Sequence, residues 1–320
     1  MNQNQNFMKN LLKTFFGFLL LTVCLISCDD NDDMVMDNSG KSITDLLSEN
    51  SNLSLLKVAV VRAGLAQTLA ADGTFTVFAP SNAAFQAAGL GSEAAINAVP
   101  VDQLKSILMY HVAMQKYASA DIPAGATDIS ISNNQKLHLT KNSSGVYVNA
   151  AQVTTADVMA RNGVVHIINK VLMPPTNNIV QAAQGNPNLS LLVAAVTRAS
   201  QGTTNVASVL SNANASLTVF APTNQAFINA GLTSEAVINA MNPDTLANIL
   251  TYHVINAKIF STDLTDGAMP TTLNGSKVTI SLSGGARVKG NSNTTASNIT
   301  AKDMVVTNGV VHVIDQVLLP

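Results

Sequence analysis

The sequence predicts an α+β fold written twice in tandem, and three observations predict it. The run Phe75-Thr76-Val77-Phe78-Ala79-Pro80-Ser81-Asn82-Ala83-Ala84-Phe85 returns as Leu217-Thr218-Val219-Phe220-Ala221-Pro222-Thr223-Asn224-Gln225-Ala226-Phe227. A repeat this clear sets the domain count before any element is assigned. Each copy places helical patterns first and strand patterns later, which suits segregated layers rather than a doubly wound sheet. Each copy also ends on a near-identical turn and apolar run, Asn162-Gly163-Val164-Val165-His166-Ile167-Ile168 and Asn308-Gly309-Val310-Val311-His312-Val313-Ile314.

Residues 1–27 read as an export leader. Lys9 and Lys13 give it a basic start, and Leu11, Leu12 and residues 15–23 an apolar stretch too short for a comfortable membrane span. It closes on Leu25-Ile26-Ser27-Cys28, a pattern that resembles a bacterial lipobox, with cleavage before Cys28 and diacylation of its sulfur. Several acyl chains on one residue suffice for stable anchoring. Cys24 leaves with the leader, so a disulfide framework and a cysteine zinc site are both excluded. Residues 28–41 hold Asp29, Asp30, Asp32, Asp33 and Asp37, a like-charged run that stays solvated and extended as a tether. The run also resembles the acidic signal that takes some lipoproteins to the outer face of the outer membrane. The expectation is an exported, lipid-anchored, surface-exposed envelope protein.

The first copy, residues 42–174, opens on a helix with Ser42 as N-cap and Asp45 three residues on. Residues 52–64 form an amphipathic helix ending at Gly64, matched by residues 188–200. The β-branched and aromatic run 75–79 is a strand buried on both faces. Pro80 has no N–H, so the ladder stops there, and Ser81 can cap the next helix. Gly89 and Gly231 mark its C-terminus. A helix over residues 101–112, matched by 244–254, closes on Tyr110-His111-Val112 and Tyr252-His253-Val254. Residues 135–140 and 145–149 form a hairpin, with 277–282 and 287–289 in its place in the second copy. Asn-Gly then turns the chain into the final strand. Residues 175–179 leave almost no linker before the second domain, 175–320, so the domains touch.

Composition bounds the function. Net charge is −2 over 320 residues and −4 once Lys9 and Lys13 are gone, with no basic patch for nucleic acid. Charged residues are 11% of the chain, against a usual ~25%. A surface of Ala, Asn, Ser and Thr does not steer charged ligands but can hydrogen-bond neutral ones. Four of five histidines fall at repeated positions, His111, His166, His253 and His312, while His138 stands alone. Their ordinary role is a bond to backbone; the sharper reading is a haem or metal ligand. No metal motif, nucleophile elbow, phosphate loop or Cys-x-x-Cys is present, so the chain is expected to be no enzyme and to carry no cofactor.

Thr-Val-Phe-Ala-Pro-(Ser/Thr)-Asn-x-Ala-Phe, then Tyr-His, then Asn-Gly-Val-Val-His-(Ile/Val)-Ile, in order and in both halves, resemble the signature segments of the fasciclin domain. The resemblance covers nearly all of residues 42–320. It implies two domains, each a β-sandwich-like wedge with a layer of helices, on a secreted or surface-anchored protein of cell adhesion. It also implies site residues. An Asp-Ile pair before the Asn-Gly turn is linked to integrin binding in animal relatives; here the pairs are Asp157-Val158 and Asp303-Met304, with Asp kept and Ile replaced. The bland role of these aspartates is to brace a turn. The Tyr-His segment, Tyr110-His111 and Tyr252-His253, is also linked to adhesion. The reading is a surface protein that binds an extracellular protein, polysaccharide or another cell; its alternative is an envelope haem or small-ligand binder, in which His111 or His253 would be the ligand.

Overall fold

The structure, a computed structural model, describes residues 40–132 and 135–320. The leader, Cys28 and the acidic tether lie outside the described residues. The first domain runs α1 (Ile43–Glu49), α2 (Ser54–Arg62), α3 (Ala66–Ala70), β1 (Phe75–Pro80), α4 (Asn82–Ala87), α5 (Glu93–Ala98) and α6 (Val101–Met109), then β2 (Val112–Ala113), β3 (Gly125–Ser130), β4 (Lys136–Asn142), β5 (Gly145–Val148), β6 (Ala151–Ala160) and β7 (Gly163–Ile168). The second runs α7 (Ile179–Gln184), α8 (Ser190–Ala199), α9 (Val206–Ser211), β8 (Leu217–Pro222), α10 (Asn224–Asn229), α11 (Glu235–Ala240) and α12 (Pro243–Tyr252), then β9 (Val254–Ile255), β10 (Thr279–Ser281), β11 (Arg287–Lys289), β12 (Ser297–Val306) and β13 (Gly309–Ile314).

Local chemistry sets the boundaries. Ser42 accepts from the Asp45 N–H while the Asp45 carboxylate accepts from the Ser42 N–H, a closed capping box on α1. Ser81 and Thr223 accept from the N–H groups of Ala84 and Ala226, so α4 and α10 begin where the strand ladder must end. Gly89, at φ +76°, takes the left-handed position past α4. The helix expected over 52–64 is the shorter α2, and the strand expected over 277–282 the shorter β10. At one further boundary the element type changes: α6 and α12 end at Met109 and Tyr252, and the Val after each histidine begins a short strand. That strand pairs antiparallel with the repeat strand, Val77 opposite Val112 and Val219 opposite Val254. Sheet pairing thus overrides an apolar period that continues the helix.

In the first domain the strand order is β2-β1-β7-β6-β5-β4-β3, and in the second β10-β11-β12-β13-β8-β9. The first and last strands of each domain pair in parallel, Phe75 with Gly163 and Leu217 with Gly309. Alternation along β1 sends Val77 and Ala79 into a core shared with the helices and Phe78 into a second core on the other face. The far wall of that inner core is Ile129, Leu137, Leu139 and Val148 from β3, β4 and β5. One sheet therefore folds over on itself and is backed by helices, the expected sandwich-like wedge. This explains why β1, β7, β8 and β13 are buried along their whole length.

Candidate functional site

The Tyr-His segments lie inside. Tyr110, His111, Tyr252 and His253, expected to meet a partner, are each at most 2% exposed and present almost no surface in the folded chain. Each histidine side chain turns in to meet a carbonyl at the end of the preceding helix, where carbonyls run short of intrahelical donors. His111 Nδ1–H donates to the Ile107 carbonyl at 2.8 Å, and its Nε2 accepts from the Leu172 N–H at 2.9 Å. His253 repeats this with the Ile249 carbonyl and the Leu318 N–H, both at 2.8 Å. Each imidazole so bolts a helix end to the segment after the last strand. Burial pushes the pKa of both down to about 4, so they are neutral. With both ring nitrogens engaged, neither offers a lone pair to haem iron. Tyr110 and Tyr252 join the inner cores and reach Asn149 and the Lys277 carbonyl.

The aspartates brace loops. Asp157 and Asp303 adopt left-handed backbone at φ +58° and +64°, at bulges in β6 and β12. The Asp157 carboxylate accepts from the Ser119 N–H at 2.8 Å and from its hydroxyl; Asp303 does the same with Ser261. Burial raises the Asp157 pKa, but the Ser119 bonds outweigh it and the net shift is down. Behind each aspartate stands a histidine of the other tautomer. His166 Nδ1 accepts from the Asp157 N–H at 3.2 Å, and Nε2–H donates to the Tyr117 carbonyl at 2.7 Å. His312 serves Asp303 and the Ile259 carbonyl in the same way. Asp157, Val158 and Met304 are half-buried and Asp303 is buried, so only part of each pair could reach a partner.

The one histidine outside the repeat positions joins the domains. His138, on β4, donates from Nδ1 to Asp128 at 2.8 Å and from Nε2 to Asp263 of the second domain at 2.9 Å. Both ring nitrogens therefore face carboxylate oxygens, which requires the doubly protonated imidazolium. Burial lowers its pKa, but the bonds to Asp128 and Asp263 outweigh that and raise it. Burial also raises the Asp128 pKa, yet His138 and Lys258 bring it down to about 2. Phe260 stacks on the imidazolium at 5.0 Å, a cation–π contact. Thr140 donates to Asp263 at 2.6 Å, and the Asn142 amide donates to the Thr262 carbonyl at 3.1 Å. The sequence showed only that His138 had no counterpart; its partners lie up to 125 residues away.

Beside this seam opens an interdomain cleft of about 560 Å³. Thr140, Asn142, Ser144 and Tyr147 line one side, and Thr262, Thr265 and Asp266 the other. Its walls are mainly hydroxyls, amides and one aromatic ring, with Lys141, Asp263 and Asp266 as the charged groups among them, a surface that can hydrogen-bond polar groups. Among the described residues no cluster of three or more His, Cys, Asp or Glu side chains is gathered for a metal, and no helix is long and apolar enough to cross a membrane.

The fasciclin domain model matches residues 51–174 and 187–320. Transforming growth factor-beta-induced protein ig-h3 of Sus scrofa is 30% identical over 253 residues, 78% of this chain and 35% of that protein, so the match spans about a third of the relative. Protein sll1483 of Synechocystis sp. is 37% identical over 139 residues, 43% of this chain and 76% of that one. Among solved structures, a FAS1 domain pair from the insect cell adhesion molecule fasciclin I aligns at 20% identity with a TM-score of 0.41, covering 83% of this chain and 96% of that one. The two segments matched to the family model take in most of the chain and hold the braced aspartates, the histidine bolts and the Asn-Gly turns of both halves, and the chain belongs to the fasciclin-domain family, with two such domains in tandem.

Proposed function

We propose that the protein is an extracellular binding protein that adheres to a matrix protein, a polysaccharide or another cell, with the interdomain cleft as its contact surface. The observation that carries this is the cleft itself: both domains contribute hydrogen-bonding side chains, most of them hydroxyls and amides, to one open concavity. Family membership supports an extracellular binding role. All five histidines have both nitrogens engaged, which argues against their use as general bases. The leader and Cys28 support export and lipid anchoring at a bacterial envelope, with domains 42–174 and 175–320 held off the lipid by the acidic tether.

The test is a binding screen of the purified protein against arrayed glycans and matrix proteins. A saturable hit is expected, weakened roughly tenfold by Tyr147→Ala, since aromatic anchors carry much of such contacts. Binding that ignores Tyr147 places the contact elsewhere; a blank array removes the adhesion reading. Treatment that cleaves acyl chains, or Cys28→Ser, should release the protein from membranes.

A further inference from the structure

The two domains differ in what fills one corner of the helical layer. In the second domain a cavity of about 110 Å³ lies between α7, α8 and α9 and runs down to Phe220 and Leu250. Matching hydrogen bonds fix its counterpart in the first domain. Asn162 and Asn308 accept from the N–H groups of Ile43 and Ile179, which aligns Leu47 with Ala183. Asn82 and Asn224 accept from those of Leu55 and Leu191, which aligns Lys57 with Val193.

Leu47 is 1% exposed and packed in the first domain's helical core. Ala183, on the cavity wall, stops at Cβ. Val193, also on the wall, presents two methyl groups where the first domain carries an ammonium-tipped side chain. Both changes act in one direction: one removes a plug, the other makes the rim apolar. Polar side chains lie at the mouth, where Gln184 and Thr197 are exposed. At the floor, His253 has both nitrogens committed to backbone.

We propose that this cavity is a binding site for a small uncharged molecule ending in a short branched alkyl group, with a single neutral polar head at the mouth. The first domain indicates the chemistry, because it fills the equivalent corner with a leucine side chain. A charged end would find no partner inside, and the walls would desolvate it. An apolar cavity of ~150 Å³ stays dry and takes a benzene-sized guest, so this space is of the right order for an isobutyl group. Gln184 and Thr197 can bond a hydroxyl or carbonyl outside.

The test is methyl-selective NMR of the full chain, titrated with 3-methyl-1-butanol and, in parallel, with isovalerate and glycerol. Saturable shifts are expected at the methyls of Val193, Val196 and Leu250 with the alcohol, and none with the anion or the triol. Ala183→Leu restores the first domain's plug and should weaken binding roughly tenfold or more, the effect of filling a core cavity. Val193→Lys should weaken it too, and serves if the first variant distorts α7. Absence of saturable shifts, as when the space serves only a partner protein's leucine, overturns the proposal, and so does an Ala183→Leu protein that binds the alcohol as well as the parent.

Discussion

At Gly163 and Gly309 a single methyl group decides whether the two key strands can meet. A Cβ at Gly163 would stand 2.1 Å from the Phe75 carbonyl oxygen, and one at Gly309 2.0 Å from that of Leu217. Neither carbonyl can retreat without opening the parallel ladder between first and last strands. Gly163→Ala and Gly309→Ala are each expected to cost about 3 kcal/mol or more by urea denaturation, at or above the top of the usual range of about 1–3 kcal/mol for forced overpacking in a core. A smaller loss is expected at Thr76. Its hydroxyl donates to the Gln115 carbonyl at 2.7 Å and accepts from the Tyr117 N–H at 2.8 Å. Thr76→Val keeps the shape and leaves both backbone groups unpaired, so it should cost about 1–3 kcal/mol. Thr76→Ser, which keeps the hydroxyl, should recover most of it; a Thr76→Val protein as stable as the parent would show that water replaces the bridge.

The histidine bolts act on whole elements, and they carry a pH sign. The unfolded chain takes up a proton at each of His111 and His253 near 6.5, the folded chain only near 4. Their contribution is thus intact above pH 6.5 and is lost as pH falls toward 4. Each can account for about 3 kcal/mol over that window, from the free-energy value of a pKa shift. His111→Gln and His253→Gln should lower stability at neutral pH and flatten this acid limb; an acid limb unchanged in the double variant assigns it to other groups. Here the limits of the sequence are visible. The Tyr-His signature marked an important place, but whether its ring faces solvent or a carbonyl depends on residues 172 and 318, far along the chain. The caps at Ser42 and Ser81 were legible because their bonds span three residues. Strands β6 and β12 left no period-2 pattern, since a bulged aspartate interrupts the alternation in each. The parallel pairing of first and last strands was equally hidden: an apolar run shows burial, not its neighbour.

At the scale of the molecule, His138 has the opposite sign. The charged groups facing it are Asp128 on its neighbouring strand and Asp263 and Lys258 from the second domain. Its folded pKa is raised above 6.5, so its contribution is full below that value and is lost as pH rises through the raised one. A neutral imidazole keeps a single N–H, and one of the two carboxylates then faces a ring lone pair. The bonds from Thr140 to Asp263 and from Asn142 to the Thr262 carbonyl do not titrate, so the seam weakens without vanishing. Acid therefore strains each domain while keeping the domains together, and mild alkali relaxes their contact while leaving each domain intact. Since the polar cleft has one wall in each domain, its width is expected to follow the same titration. Small-angle scattering on going from mildly acidic buffer into mild alkali, the direction in which a histidine with a raised pKa discharges, should show the radius of gyration rising while circular dichroism stays constant. His138→Gln should hold the larger value throughout. A radius that does not change with pH in the parent would mean that the uncharged contacts hold the seam alone, and that the cleft keeps one width at every pH.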